Sequence, residues 1–320
     1  MIHRRSMIGA LAAVLLLAGC AGTPETARLT QSPPPGVPQR AELEAVPFFA
    51  QEAYHCGPAA LAAALNFSGL SVTPDGIADQ VYTPGRTGTL QMEILTGSRR
   101  NGRIAVEVRT MRDGFREVAA GHPVLILQNL GLEMAPQWHY ALLVGFDLEA
   151  ETAILRSGTT RRLEMPLQTL EHTWRRGDFW GVVVAAPEGP VPATASFADW
   201  LDGAVGLERA GDAAQAATAY ATAAARWPGH AEPYIAIAGL YAAEGQLLDA
   251  AASLRKALDR ADAETEPVVL NNLAYVLMQQ EQWDEAEALA ERAVAAGGAF
   301  RDSARETLIE IRENRPDRKG

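Results

Sequence analysis

The chain has 320 residues, 48% of them hydrophobic and 21% charged, which is enough apolar material for roughly two domain cores. Its net charge of −11 argues against a nucleic-acid partner. The acidity is uneven, because the residues after 197 hold 12 Lys+Arg against 21 Asp+Glu.

In chain order, residues 1–19 begin with His3, Arg4 and Arg5 and continue as an apolar run from Met7 to Leu17. That is a secretory signal pattern, too short for a membrane span. It ends in Leu17-Ala18-Gly19-Cys20, which resembles the lipobox of bacterial lipoproteins. The resemblance implies cleavage before Cys20, lipidation of its thiol and a mature chain tethered to a membrane. Ala21 stands where an inner-membrane retention signal would usually place Asp, which favours the outer membrane and a periplasm-facing protein. Residues 20–45 contain Pro24, Pro33, Pro34, Pro35 and Pro38 and few apolar residues, predicting an extended tether.

The segment from Gln51 through Cys56-Gly57-Pro58-Ala59-Ala60-Leu61 opens a first domain over residues 46–186. A helix is predicted from Pro58 to Phe67, with Pro58 suited to its first turn. A thiol at a helix start lies near the positive end of the dipole and unpaired N–H groups, which favour a thiolate. Gln51 offers a side-chain amide to an oxyanion forming near the sulfur. With Cys20 lipidated, Cys56 has no partner for a disulfide. Further helices are predicted at 75–81, 89–98 and 115–120, and strands at 105–109, 124–127, 139–146, 152–156 and 180–185. Strands 139–146 and 152–156 flank a short loop and form a hairpin. Helices first and an antiparallel sheet later make an α+β layout. His139 opens the hairpin and is the candidate base for the thiol.

Gln51…Cys56-Gly57-Pro58-Ala59-Ala60-Leu61, together with His139-Tyr140-Ala141-Leu142-Leu143-Val144-Gly145-Phe146-Asp147, resembles the bacteriocin-processing cysteine peptidases, a papain-like family. The resemblance implies Cys56 as nucleophile, His139 as general base, Gln51 as oxyanion donor, and thioester chemistry on a peptide, often after small residues. That family orients its histidine with an aspartate on the return strand. Pairing 139 with 157 puts Ser157 there instead; a hydroxyl fixes the tautomer but brings no charge. Asp147 lies at the far end of the hairpin, and Asp178, Glu133 and Glu171 are loop alternatives. A packed structural thiol and a satisfied strand histidine are the plain readings of Cys56 and His139. His55 reads as a rim residue and His122 as a turn residue. His172 and His230 lack metal-ligand spacing, so no metal or other cofactor is expected. Trp138 and Tyr140 either wall a cleft or pack. The pairs Arg161-Arg162 and Arg175-Arg176 read as solvated charge or as a face toward the acidic second half.

A linker, residues 187–197, leads to an alanine-rich helical region over 198–315, with a tail at 316–320. Ala204, Ala238 and Ala274 recur at offsets of 34 and 36 residues. So do Gly211, Gly245 and Glu281; Ala216, Ala250 and Ala286; Tyr220, Leu254 and Ala290; and Ala223, Ala257 and Ala293. This period resembles tetratricopeptide repeats, which implies an all-α solenoid that binds a peptide or protein partner. The expected whole is a papain-like α+β cysteine peptidase domain followed by that solenoid, on a lipid anchor at Cys20. The alternatives are a peptidase-fold scaffold without efficient turnover, and a thioester enzyme that transfers its acyl group or hydrolyses a non-peptide amide.

Overall fold

The apolar run that follows Cys56 builds the centre of the first domain. The structure, a computed structural model, describes residues 22–50, 56–81 and 88–316. Helix α1 (Pro24–Gln31) and strand β1 (Arg40–Glu42) precede helices α2 (Cys56–Phe67), α3 (Pro74–Val81) and α4 (Gln91–Arg100). Strand β2 (Ile104–Val108), helix α5 (Met111–Ala119) and strands β3 (Val124–Asn129), β4 (Trp138–Asp147), β5 (Thr152–Ser157) and β6 (Thr160–Pro166) follow. Helix α6 (Leu167–Arg175) and strand β7 (Gly181–Ala185) complete the unit. Among the described residues the sheet has seven strands, ordered β2-β7-β3-β4-β5-β6, with β1 added on β4.

Helix α2 is apolar on all sides, and Gly57 through Leu65 are buried, so it forms a central helix rather than a surface one. Strand alternation divides the core between the two sheet faces. On one face, Leu61 and Leu65 of α2, Ile77, Val81 and Ile94 pack on Leu125, Leu127, Tyr140, Leu142 and Val144. On the other, Leu29, Met111, Phe115, Leu170 and Trp174 cover Val124, Ile126, Ala141, Leu143 and Leu155.

The expected tether over 20–45 is corrected within its described part. Pro24 sits in the first turn of α1, and Leu29 is buried in the second face of the sheet. The start of α1 is capped from a distance: Glu171 accepts the N–H of Glu25 at 3.2 Å and of Thr26 at 2.7 Å, and the Thr26 hydroxyl at 2.7 Å. Residues 40–42 then pair with Asp147–Gly145. Strand β6 and helix α6 were not predicted.

Residues 197–314 are helical: α7 (Phe197–Arg209), α8 (Ala213–Arg226), α9 (Glu232–Ala243), α10 (Leu247–Leu258), α11 (Glu266–Gln279), α12 (Trp283–Ala296) and α13 (Arg301–Asn314). The recurring small residues Ala204, Ala238, Ala274, Ala216, Ala250 and Ala286 are all buried. Gly211, Gly245 and Glu281 occupy equivalent turns with φ of +87°, +74° and +60°. The third unit thus adopts the same left-handed turn without glycine. Helix α7 packs on the edge of the sheet, where Trp200, Ala204 and Leu207 join Ile104, Val106 and Ala185. Gly203 permits this approach, since a Cβ there would lie 2.5 Å from Ile104 Cγ2.

Candidate active site

Cys56 is the first residue of α2 and is a free, half-buried thiol packed against the sheet face that holds Tyr140. Its neighbour Gly57 leaves no room for a Cβ, because the Thr89 side chain lies against it. The carbonyl of Thr89 accepts the Tyr140 hydroxyl at 3.1 Å, which ties β4 to the segment covering the helix start. Burial raises the Tyr140 phenol above its ordinary range, and the charges of Cys56 and Glu93 add to the effect. Tyr140 also packs edge-on against Trp180, so it is a core residue, while Trp138 stays 55% exposed.

His139 stands next to Tyr140 near the start of β4. Its Nε2 lies 2.8 Å from Ser157 Oγ. The register pairs Leu142 with Arg156, after a bulge between Leu143 and Gly145. Carried on by one residue, that register sets Ser157 against Ala141, so His139 reaches it diagonally rather than directly across. The expected pairing of 139 with 157 was therefore off by two residues. A two-residue shift keeps the face, whereas a one-residue slip would have lost it. Burial holds the His139 imidazole below its ordinary value, so the neutral ring is favoured. With the proton on Nε2 facing Ser157, Nδ1 carries the lone pair of a base. Strand alternation puts His139 with its cross-strand neighbour Gln128 on the Ala141 face, opposite the Tyr140 face that Cys56 packs against, and among the described residues no hydrogen bond joins Cys56 to His139.

Gln51 and His55, like Cys20, lie outside the described residues. The acidic alternatives are engaged elsewhere or exposed. Asp147 accepts the N–H of Glu149 at 3.1 Å and of Ala150 at 2.9 Å, and pairs with Arg40. The Ala150 N–H, with the Arg40 contact, keeps its carboxyl below the usual range. Glu171 caps α1 and pairs with Arg175, and Glu133 and Asp178 are exposed. The arginine pairs also have local partners: Arg162 binds Glu42 and Glu164, and Arg176 binds the Asn129 carbonyl. Among the described residues, Arg162, Arg175 and Arg176 find their partners within the first domain.

One positioning residue escaped the sequence reading. Buried Arg156, beside Ser157, donates to the carbonyls of Glu44 (3.2 Å), Val46 (3.3 Å) and Arg161 (2.9 Å). It therefore fixes the chain that leads toward Gln51 to the strand that carries Ser157. An arginine inside a strand pattern signals only that something polar must receive it. Among the described residues, no group of three His, Cys, Asp or Glu is placed to hold a metal ion.

A solved structure of a candidate C39-like peptidase from Bacillus anthracis aligns with 46% of this chain and 97% of its own, at 17% identity and a TM-score of 0.41. No curated protein gives a significant match. Residues 43–177, which carry Cys56, His139 and Ser157, match the model of the Peptidase_C39 like family.

Proposed function

We propose that the protein is a cysteine peptidase acting on a peptide substrate. Cys56 attacks the scissile carbonyl, and the Gln51 side chain with the Cys56 N–H holds the oxyanion. His139 takes the thiol proton and passes it to the leaving amine, and water then adds to the thioester, releasing the acyl group as an acid and restoring the thiol. Ser157 orients the imidazole. The observation that carries this reading is the 2.8 Å contact between His139 Nε2 and Ser157 Oγ, within the family-matched stretch. The lipobox supports a lipid anchor on Cys20 at the outer membrane, facing the periplasm. The recurring turns and buried alanines support tetratricopeptide repeats that recruit a substrate or protein partner.

A scaffold that keeps the fold without efficient turnover is the second reading. It is favoured by the uncharged Ser157 and by the placement of Cys56 and His139 on opposite sheet faces, with no hydrogen bond between them among the described residues. New protein N-termini compared between wild-type cells and cells carrying Cys56→Ala separate the two. Peptidase action predicts termini that are present in wild type and absent in Cys56→Ala. Identical sets of termini would support the scaffold.

A further inference from the structure

The turn between β3 and β4 is unusually apolar for a surface loop. Leu130, Leu132, Met134 and Trp138 are 45%, 72%, 95% and 55% exposed. The loop is nonetheless firmly built. The Leu130 N–H donates to the Gln137 carbonyl at 2.9 Å, and the Ala135 N–H to the Leu132 carbonyl at 3.0 Å. Asn129 Oδ1 accepts the N–H groups of Gly131 and Gln137 at 3.0 and 2.9 Å. A Cβ on Gly131 would collide with the Ala135 carbonyl. A turn this ordered holds its large apolar side chains in water at a standing cost, the mark of a surface that meets an apolar partner.

Its place in the fold points to the partner. Arg176 grips the base of the turn through the Asn129 carbonyl at 2.8 Å. The adjacent Arg175 reaches the carbonyl of Gly22 at 3.4 Å. The chain therefore enters the fold at the same corner that presents the apolar turn. Ahead of Gly22 lie the apolar run Met7–Leu17 and Cys20.

We propose that the Leu130–Trp138 turn docks on the bilayer that anchors the N-terminus, with Leu132 and Met134 entering the interface and Trp138 at headgroup level. The proposal rests in part on the lipid-anchor reading above. A convex turn with a tip residue almost wholly in solvent suits insertion into lipid, whereas peptide side chains are taken up by concave pockets. Tryptophan is favoured where one end is apolar and the other wet. Glu133 sits between Leu132 and Met134 and keeps the insertion shallow, because its carboxylate must remain among the headgroups. Trp138 immediately precedes His139, so docking sets the candidate site at the membrane surface.

The test uses the full chain in phosphatidylethanolamine–phosphatidylglycerol vesicles whose acyl chains are brominated, which quench nearby tryptophan. Docking predicts that wild-type fluorescence is quenched, that Trp138→Phe removes the quenched component, and that Met134→Asp removes it while keeping Trp138. Equal quenching in wild type and Trp138→Phe would overturn the proposal. So would protection of Trp138 from soluble iodide by an apolar peptide without vesicles, since the occupant would then be a peptide. Mass spectrometry of the N-terminal peptide reads Cys20 lipidation separately, so a failed anchor and a failed docking turn are told apart.

Discussion

Replacing His139 by alanine is expected to lower kcat/KM for peptide cleavage by about 10²- to 10⁴-fold, the usual range for a positioned proton-transfer group. The reason lies in how the ring is held. Burial favours the neutral imidazole, and the Ser157 hydroxyl lies 2.8 Å from Nε2; with the proton on Nε2, Nδ1 is the basic nitrogen. As the pH falls through the depressed imidazole pKa the base is lost, so the acid limb of kcat/KM should lie below the ordinary pKa of 6.5. Ser157→Asp puts a carboxylate where the hydroxyl stands. An opposite charge favours imidazolium, so that limb should move up by about one pH unit. A limb that stays in place or moves down would show that residue 157 does not act on the catalytic ring.

Glu117→Ala is expected to lower stability by about 3–5 kcal/mol, read as a shift in the midpoint of thermal or denaturant unfolding. Glu117 is fully buried on α5 and clasps the segment leading into the helical half. It accepts His122 Nδ1 at 2.9 Å, the Ala193 N–H at 3.1 Å, and the Thr194 N–H and hydroxyl at 2.6 and 2.5 Å. Alanine leaves these donors without their buried acceptor, whereas Glu117→Gln keeps one carbonyl oxygen and should cost less. Burial alone would raise this carboxyl, but the hydrogen bonds from His122 and Thr194 outweigh it and hold the pKa below 4.5. Its contribution is therefore full above about pH 4.5 and is lost as the pH falls through the lower folded-state value. A loss below 1 kcal/mol in Glu117→Ala would mean that the clasp is not a main support of that segment.

Much of the first domain was legible because its elements carry a strong pattern. The alanine run after Cys56 is apolar throughout and helical, and the two apolar runs flanking the short loop after Asp147 mark a hairpin. The contact of His139 with Ser157 survives the error in the expected hairpin register, since a shift of two residues leaves the face unchanged. The elements that were missed depend on partners far along the chain. Helix α1 sits in a proline-rich stretch that looks like a tether, and it is held by Glu171, about 145 positions away. Strand β6 shows Arg161, Arg162 and Glu164 to solvent, so no apolar period marks it. Arg156 and Glu117 are charges inside apolar patterns, and only the fold reveals which carbonyls and N–H groups receive them.

The central claim is that Cys56 and His139 work as one chemical unit, and alkylation of the thiol tests it without knowledge of the substrate. With a small haloacetamide at pH 7, wild-type Cys56 should react at least about ten times faster than Cys56 in His139→Ala, as expected when an adjacent base activates a thiol. Equal rates in the two proteins would contradict the account and leave Cys56 as a packed thiol at the start of a buried helix.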